Sequence, residues 1–208
     1  MKKICIFTSS RADYYLLSKL ALKLDEYKNI TVQILISGTH LLKKYGYLYK
    51  EISKTHKNIF NCKIIDSSIK DNFVLDVFSK SIKRVGKKLN KLNPDIFVVL
   101  GDRYEAFAAT ISANILKIPI AHISGGEVTE GAIDDSFRHS MSKLSNIHFV
   151  GHKVYKKRII QLGEDAKNIF VVGGTGSEDI KKIEFLEKKF LENDLNLKFQ
   201  KKNLIITI

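Results

Sequence analysis

Ile96-Phe97-Val98-Val99-Leu100-Gly101-Asp102-Arg103 is an apolar run that stops abruptly at a glycine and two opposite charges. A short run that is apolar at every position predicts a strand of a parallel sheet, buried on both faces. A helical segment from Tyr104 to Leu116 follows, and Ile118-Pro119-Ile120-Ala121-His122 predicts a second strand that delivers Ile123-Ser124-Gly125-Gly126-Glu127. The chain then runs through Val128-Thr129-Glu130-Gly131-Ala132-Ile133 into Asp134-Asp135-Ser136-Phe137-Arg138-His139. Asp134 and Asp135 are placed as N-cap and first-turn residues of the next helix. Open α/β sheets bind ligands at the carboxyl ends of their strands, so these acidic loops mark the candidate site.

The same alternation extends in both directions. Lys3 to Phe7, Thr31 to Ile36 and Phe60 to Ile65 read as strands, with helices through about Tyr27, near Leu41 to Lys44, from Tyr47 to Lys54 and from Asn72 to Leu92. Downstream, Asn146 to Val150 and Ile169 to Val172 read as strands around a helix from Lys153 to Leu162. Gly173-Gly174-Thr175-Gly176-Ser177 is a turn before a Ser177 cap, and a charged helix spans Ile183 to Leu195. Strand and helix alternating throughout predict an α/β fold with a doubly wound parallel sheet. Residues 1–195 are assigned to this domain, and 196–208 to a linker and the first strand, Lys202 to Ile208, of a truncated second domain.

Composition removes several classes of function. No apolar run reaches the length of a membrane span or a signal peptide's core, so a cytoplasmic protein is expected. Cys5 and Cys62 lie inside strand-like runs and are expected to be buried, reduced thiols. The net charge of +13 is spread along helix faces in pairs such as Lys87-Lys88 and Lys181-Lys182, which reads as solvated surface and not as a nucleic-acid groove.

Carboxylates gathered at strand ends repel, and burial raises the pKa of at least one of them, which yields an acid and a base near neutrality. Asp102, Glu127 and Asp134 or Asp135 are the candidates. Each aspartate has a structural alternative: Asp102 as the cap of a helix starting at Arg103, Asp134 as the cap of the following one, and Asp135 as a partner of its dipole. Glu127 has no capping role. Arg138 and His139 are placed to pair with these acids, and His122 reads as a hydrogen-bonded histidine closing its strand. The first loop, Thr8-Ser9-Ser10-Arg11-Ala12-Asp13, joins a strand to a helix whose amides and Arg11 are suited to an anion, with a Ser9 or Ser10 cap as the plainer reading.

These motifs resemble the hydrolysing UDP-N-acetylglucosamine 2-epimerases of bacterial sialic and legionaminic acid biosynthesis. The resemblance is carried by Thr8 to Tyr14, Ser37-Gly38-Thr39-His40-Leu41, Leu100 to Glu105, Ile118 to Ser136 and Gln161-Leu162-Gly163-Glu164. It implies a GT-B-type fold of two Rossmann-like domains, of which this chain is the N-terminal half, and a homodimer or other homo-oligomer when full length. It implies a UDP-sugar substrate and a reaction without metal or nicotinamide, in which UDP is eliminated and water adds to give the free manno sugar. Catalytic roles are thereby expected at Asp102, Glu127, Asp134 and Asp135, and substrate binding at Arg11, His40, Arg103, His122 and Arg138. Two departures stand out: Ser9 replaces a glycine found in many relatives, and Ser124 stands where many carry a catalytic glutamate, a role that falls to Glu127 or is filled differently in this branch. A non-catalytic nucleotide-sugar-binding or interaction domain and a GT-B glycosyltransferase are the alternatives.

Overall fold

The computed structural model describes residues 1–66, 73–176 and 184–206. Among them, β1 Lys2–Thr8, β2 Ile30–Ile36, β3 Ile59–Asn61, β4 Ile96–Leu100, β5 Ile120–Ile123, β6 Ile147–Val150 and β7 Ile169–Val171 form one sheet. Its order is β3-β2-β1-β4-β5-β6-β7, with every pairing parallel. Helices α1 Arg11–Asp25, α2 Tyr49–Thr55, α3 Phe73–Leu92, α4 Tyr104–Ile115, α5 Ile133–Leu144 and α6 Lys153–Gln161 connect successive strands. This is the doubly wound, Rossmann-like sheet expected from the alternation, and its order reverses between β1 and β4. A ligand crevice belongs at that switch point.

Side chains alternate across the sheet, so one apolar strand feeds two cores. Phe7, Leu35, Phe97 and Val99 face α3, α4 and α5 through Val85, Leu89, Ala109 and Met141. Ile6, Ile34, Ile36 and Val98 face the other way, onto Tyr14, Leu17 and Ala21 of α1 and Ile52 of α2. Burial on both sides accounts for the uninterrupted apolar reading of β4. Cys5 and Cys62 are free and buried, and desolvation pushes both thiols up, Cys62 to about 11.

Several boundaries differ from the sequence reading. The third strand is only Ile59–Asn61: it is a sheet edge paired to β2 alone, and after Cys62 donates to the Ile36 carbonyl at 2.8 Å the chain leaves the ladder. The segment near Leu41 to Lys44 is a pair of 3₁₀ turns, Gly38–Leu41 and Lys43–Tyr45. Asn72 and the Ser177 cap lie outside the described residues. Met1–Thr175 forms one compact unit and Gly176–Ile208 a second. In the second, α7 is Lys188–Asp194, shorter than the expected helix from Ile183, which also lies outside the described residues. Leu204, Ile205 and Ile206 are exposed and form no strand among the described residues, because a strand needs a hydrogen-bonded neighbour. Among the described residues, no helix is long and apolar enough to cross a membrane.

Candidate active site

Three loops at the carboxyl ends of β1, β2 and β4 meet at the switch point. The first turns into α1 at the N-cap Ser10, while Asp13 reaches back as the partner of a capping box. Its carboxylate accepts from the amides of Ser9 and Ser10 at 3.1 and 3.2 Å, from the Ser9 and Ser10 hydroxyls at 3.1 and 3.3 Å, and from the Thr8 hydroxyl. The same Thr8 hydroxyl lies 2.8 Å from His40 Nε2, which stands 3.7 Å from Asp13. Thr39 fastens the β2 loop to the β1 loop through the Ser9 carbonyl, which accepts its amide at 2.9 Å and its hydroxyl at 3.1 Å. Beside them opens a cavity of ≈ 560 Å³ whose walls include Arg11, His40, Lys44 and Arg103.

The second cluster surrounds Asp102. Asp102 is not a helix cap: α4 starts at Tyr104 with Arg103 in the cap position. Its side chain is 21% exposed and pairs with the Arg138 guanidinium, which is 8% exposed. Burial pushes the Asp102 carboxyl upward, Asp134 nearby pushes the same way, and Arg138 opposes both; the net direction is up. Arg138 also donates to the Thr129 hydroxyl at 3.1 Å and lies 3.7 Å from Asp135. Asp135 accepts the Thr129 amide at 2.8 Å and approaches His139 at 3.4 Å, so it braces the loop that leads into α5. Asp134 is not the cap either, since α5 begins at Ile133 with Ala132 in the cap position. That leaves Asp134 in the first turn, half-buried, with no hydrogen bond or ion pair among the described residues to occupy it. Glu127 is likewise half-buried, and no hydrogen bond or ion pair joins it to this cluster.

His122 lies beneath the cluster and has no surface to offer a ligand. Its Nε2 donates to the Gly101 carbonyl at 2.7 Å, so Nδ1 is the unprotonated nitrogen and accepts from the Ser142 hydroxyl at 3.1 Å. The imidazole therefore ties α5 to the backbone immediately before Asp102. Gly101 turns there with φ +78, a left-handed conformation that glycine accepts without strain. Gly126 is the second position where glycine is required, because with φ +75 a Cβ would stand 2.6 Å from the Tyr155 carbonyl of α6.

Burial holds His122 neutral, with its pKa down at about 4. Unfolded histidine takes up a proton near pH 6.5, so the unfolded state binds more protons and stability falls as pH drops from 6.5 towards 4. His56 and His148, held below their ordinary value by burial, act in the same direction, whereas Asp102, raised above the ordinary carboxylate range mainly by burial, acts in the opposite one. The expected loss from His122 alone is about 2 kcal/mol at pH 5 relative to pH 7. Urea midpoints at the two values check this, and equal midpoints would mean that His122 is not sequestered as described.

A family model described as UDP-N-acetylglucosamine 2-epimerase matches residues 22–208. The chain belongs to the UDP-N-acetylglucosamine 2-epimerase family. It is 40% identical to the GDP/UDP-N,N'-diacetylbacillosamine 2-epimerase (hydrolyzing) of Campylobacter jejuni, over 99% of this chain and 54% of that protein. It is 35% identical to the UDP-N,N'-diacetylbacillosamine 2-epimerase (hydrolyzing) of Legionella pneumophila, over 86% and 48% respectively. The chain thus spans about half the length of the curated relatives it matches. In fold it resembles the crystal structure of the Neisseria meningitidis UDP-GlcNAc 2-epimerase bound to UDP-GlcNAc, with a TM-score of 0.75 and 23% identity over 94% of this chain and 54% of that one. The fold is accordingly the GT-B-type, Rossmann-like sheet of these epimerases.

Of the residues expected at the site, the structure gathers Arg11, His40 and Arg103 around the cavity, and Asp102, Asp135 and Arg138 into one ion-paired cluster that Asp134 touches electrostatically. It buries His122 underneath and leaves Glu127 apart from the cluster's bonds. Sequence reasoning missed Asp13, Thr129 and Ser142. Asp13 alone carried a readable signal, the Ser10-x-x-Asp13 spacing of a capping box.

Proposed function

We propose that this chain is the N-terminal half of a hydrolysing UDP-sugar 2-epimerase. It acts on UDP-N-acetylglucosamine or UDP-2,4-diacetamido-2,4,6-trideoxyglucose and releases the free manno sugar and UDP. The supporting observation is the Asp102–Arg138 pair, with the free Asp134 beside it, at the switch point next to a cationic cavity. In this reading a carboxylate takes the proton from C2, the C2–H electron pair forms the C1=C2 bond, and the C1–O bond to UDP breaks. Water then adds, oxygen to C1 and a proton to C2 from the opposite face. Asp134, unencumbered and near a like charge, is assigned the proton transfer at C2. Asp102, with its raised pKa, supplies or accepts the second proton, and Arg138 fixes its orientation. Arg11, Arg103 and His40 hold the diphosphate end, and neither a metal nor a nicotinamide takes part. Residues 196–208 lead into the second domain, and the complete protein is a cytoplasmic homodimer or other homo-oligomer.

The test is a proton NMR time course with each UDP-sugar, on this chain and on the longest reading frame that contains it. Appearance of a manno sugar and UDP from the longer polypeptide alone is the expected result. Turnover by these 208 residues alone would overturn the two-domain part of the proposal, and turnover by neither would overturn the reaction.

A further inference from the structure

We propose that the 3₁₀ turn Lys43–Tyr45 and Gly46 belong to the anion-binding wall of the cavity, with Lys44 as a third cation for the diphosphate of a nucleotide sugar. The inference rests on the UDP-sugar reading above and extends it to residues that carry no role there.

Charge is the first observation. The cavity lining contains Arg11, Lys44 and Arg103 and no carboxylate. Acids close to the lining residues are already engaged: Asp13 accepts the Ser9 and Ser10 donors, Glu105 is buried against Arg103 at 2.9 Å, and Asp102 pairs with Arg138. Arg103 is therefore partly neutralised, whereas Arg11 and Lys44 have no ion pair among the described residues. Two uncompensated cations and one compensated one face a volume of ≈ 560 Å³, which suits a ligand with two or more negative charges and room for attached groups.

Geometry is the second. Gly46 ends the turn in the left-handed region with φ +84, and a Cβ there would stand 2.5 Å from an Arg11 guanidinium nitrogen. Only glycine lets the turn close on Arg11 without pushing it aside. The turn therefore leaves room for the Arg11 guanidinium against its backbone and contributes a second cation in Lys44.

The third is His40, which is 1% exposed, lines the cavity, and has an Nδ1 without a hydrogen-bond partner among the described residues. Thr8 has a single hydroxyl proton, and the Asp13 carboxylate can only accept it. His40 Nε2 must then donate to Thr8, and Nδ1 is left as the ring's unpartnered nitrogen.

The experiment is calorimetric titration of UDP and of uridine into the longest polypeptide and its Lys44→Met and Lys44→Arg variants. Lys44 is exposed, so neither change threatens folding. Lys44→Met is expected to raise the Kd for UDP about tenfold, the loss of one charged contact, while Lys44→Arg stays within about threefold of wild type. Uridine affinity should not move. An unchanged UDP affinity in Lys44→Met, an equal loss for uridine, or no binding of UDP by the wild type would each overturn the inference. Wild-type UDP binding that depends on Lys44 without release of any sugar would retain this site and reject the epimerase reaction. Sugar release with identical KM and UDP affinity in Lys44→Met would do the reverse.

Discussion

Asp102→Asn in the longest polypeptide should lower kcat by about a thousandfold while the protein remains folded. The size follows from the role: a positioned acid or base contributes roughly 10² to 10⁴ in rate, and an amide can neither take nor give the proton. Folding should survive because asparagine keeps the shape of the side chain and one oxygen that accepts from Arg138. Arg138 also retains the Thr129 hydroxyl at 3.1 Å and Asp135 at 3.7 Å, so its charge is not stranded. The cost to stability should stay near 1 to 2 kcal/mol, the range of one charged hydrogen bond weakened. Steady-state kinetics on each UDP-sugar, together with a urea unfolding curve, separate the two effects. Near-normal turnover would remove Asp102 from the chemistry, and unfolding of the variant would mean that the ion pair is structural first. The companion change Asp134→Asn isolates the C2 proton transfer, because Asp134 has no hydrogen bond or ion pair to lose among the described residues.

The sheet was readable because burial on both faces forces β4 and its neighbours to be apolar at every position, and because alternation with helices admits little besides a parallel arrangement. Asp102 and Arg138 were readable as charges that interrupt such patterns. Their pairing was not, since it joins positions 36 residues apart through the fold. His122 was read correctly as a hydrogen-bonded histidine, but its partners, the Gly101 carbonyl and the Ser142 hydroxyl, come from a separate loop and a separate helix. No local signal announces such a bond. The caps went wrong for a related reason: an aspartate ahead of a helix looks like a cap whether or not its carboxylate has been drawn off by an arginine from elsewhere. Edge effects account for the rest, as a strand flanked on one side only, like β3, stops wherever its neighbour stops supporting it.

Asp13→Ala should destabilise the protein by about 4 kcal/mol, a large share of the 5 to 15 kcal/mol that holds an ordinary domain together. Its carboxylate satisfies two backbone amides and three hydroxyls, and Thr8 and Ser9 are almost completely buried. Removing the acceptor strands several donors at once, each costing on the order of 1 kcal/mol or more where water cannot replace the lost partner. Asp13→Asn should cost roughly half as much, because one oxygen remains while the new NH₂ group faces amides that also donate. The two variants differ in what they do to the site as well. The first loop sets Arg11 at the start of α1, and the Asp13–Thr8–His40 chain sets the imidazole on the cavity wall, so Asp13→Ala should weaken UDP binding even where the protein is still folded. Urea midpoints for both variants and UDP titration at a temperature well below the transition measure the two consequences separately. A loss below about 1 kcal/mol would mean that Ser9 and Ser10 find water or another acceptor, and the capping network would then not be what holds the anion loop in place.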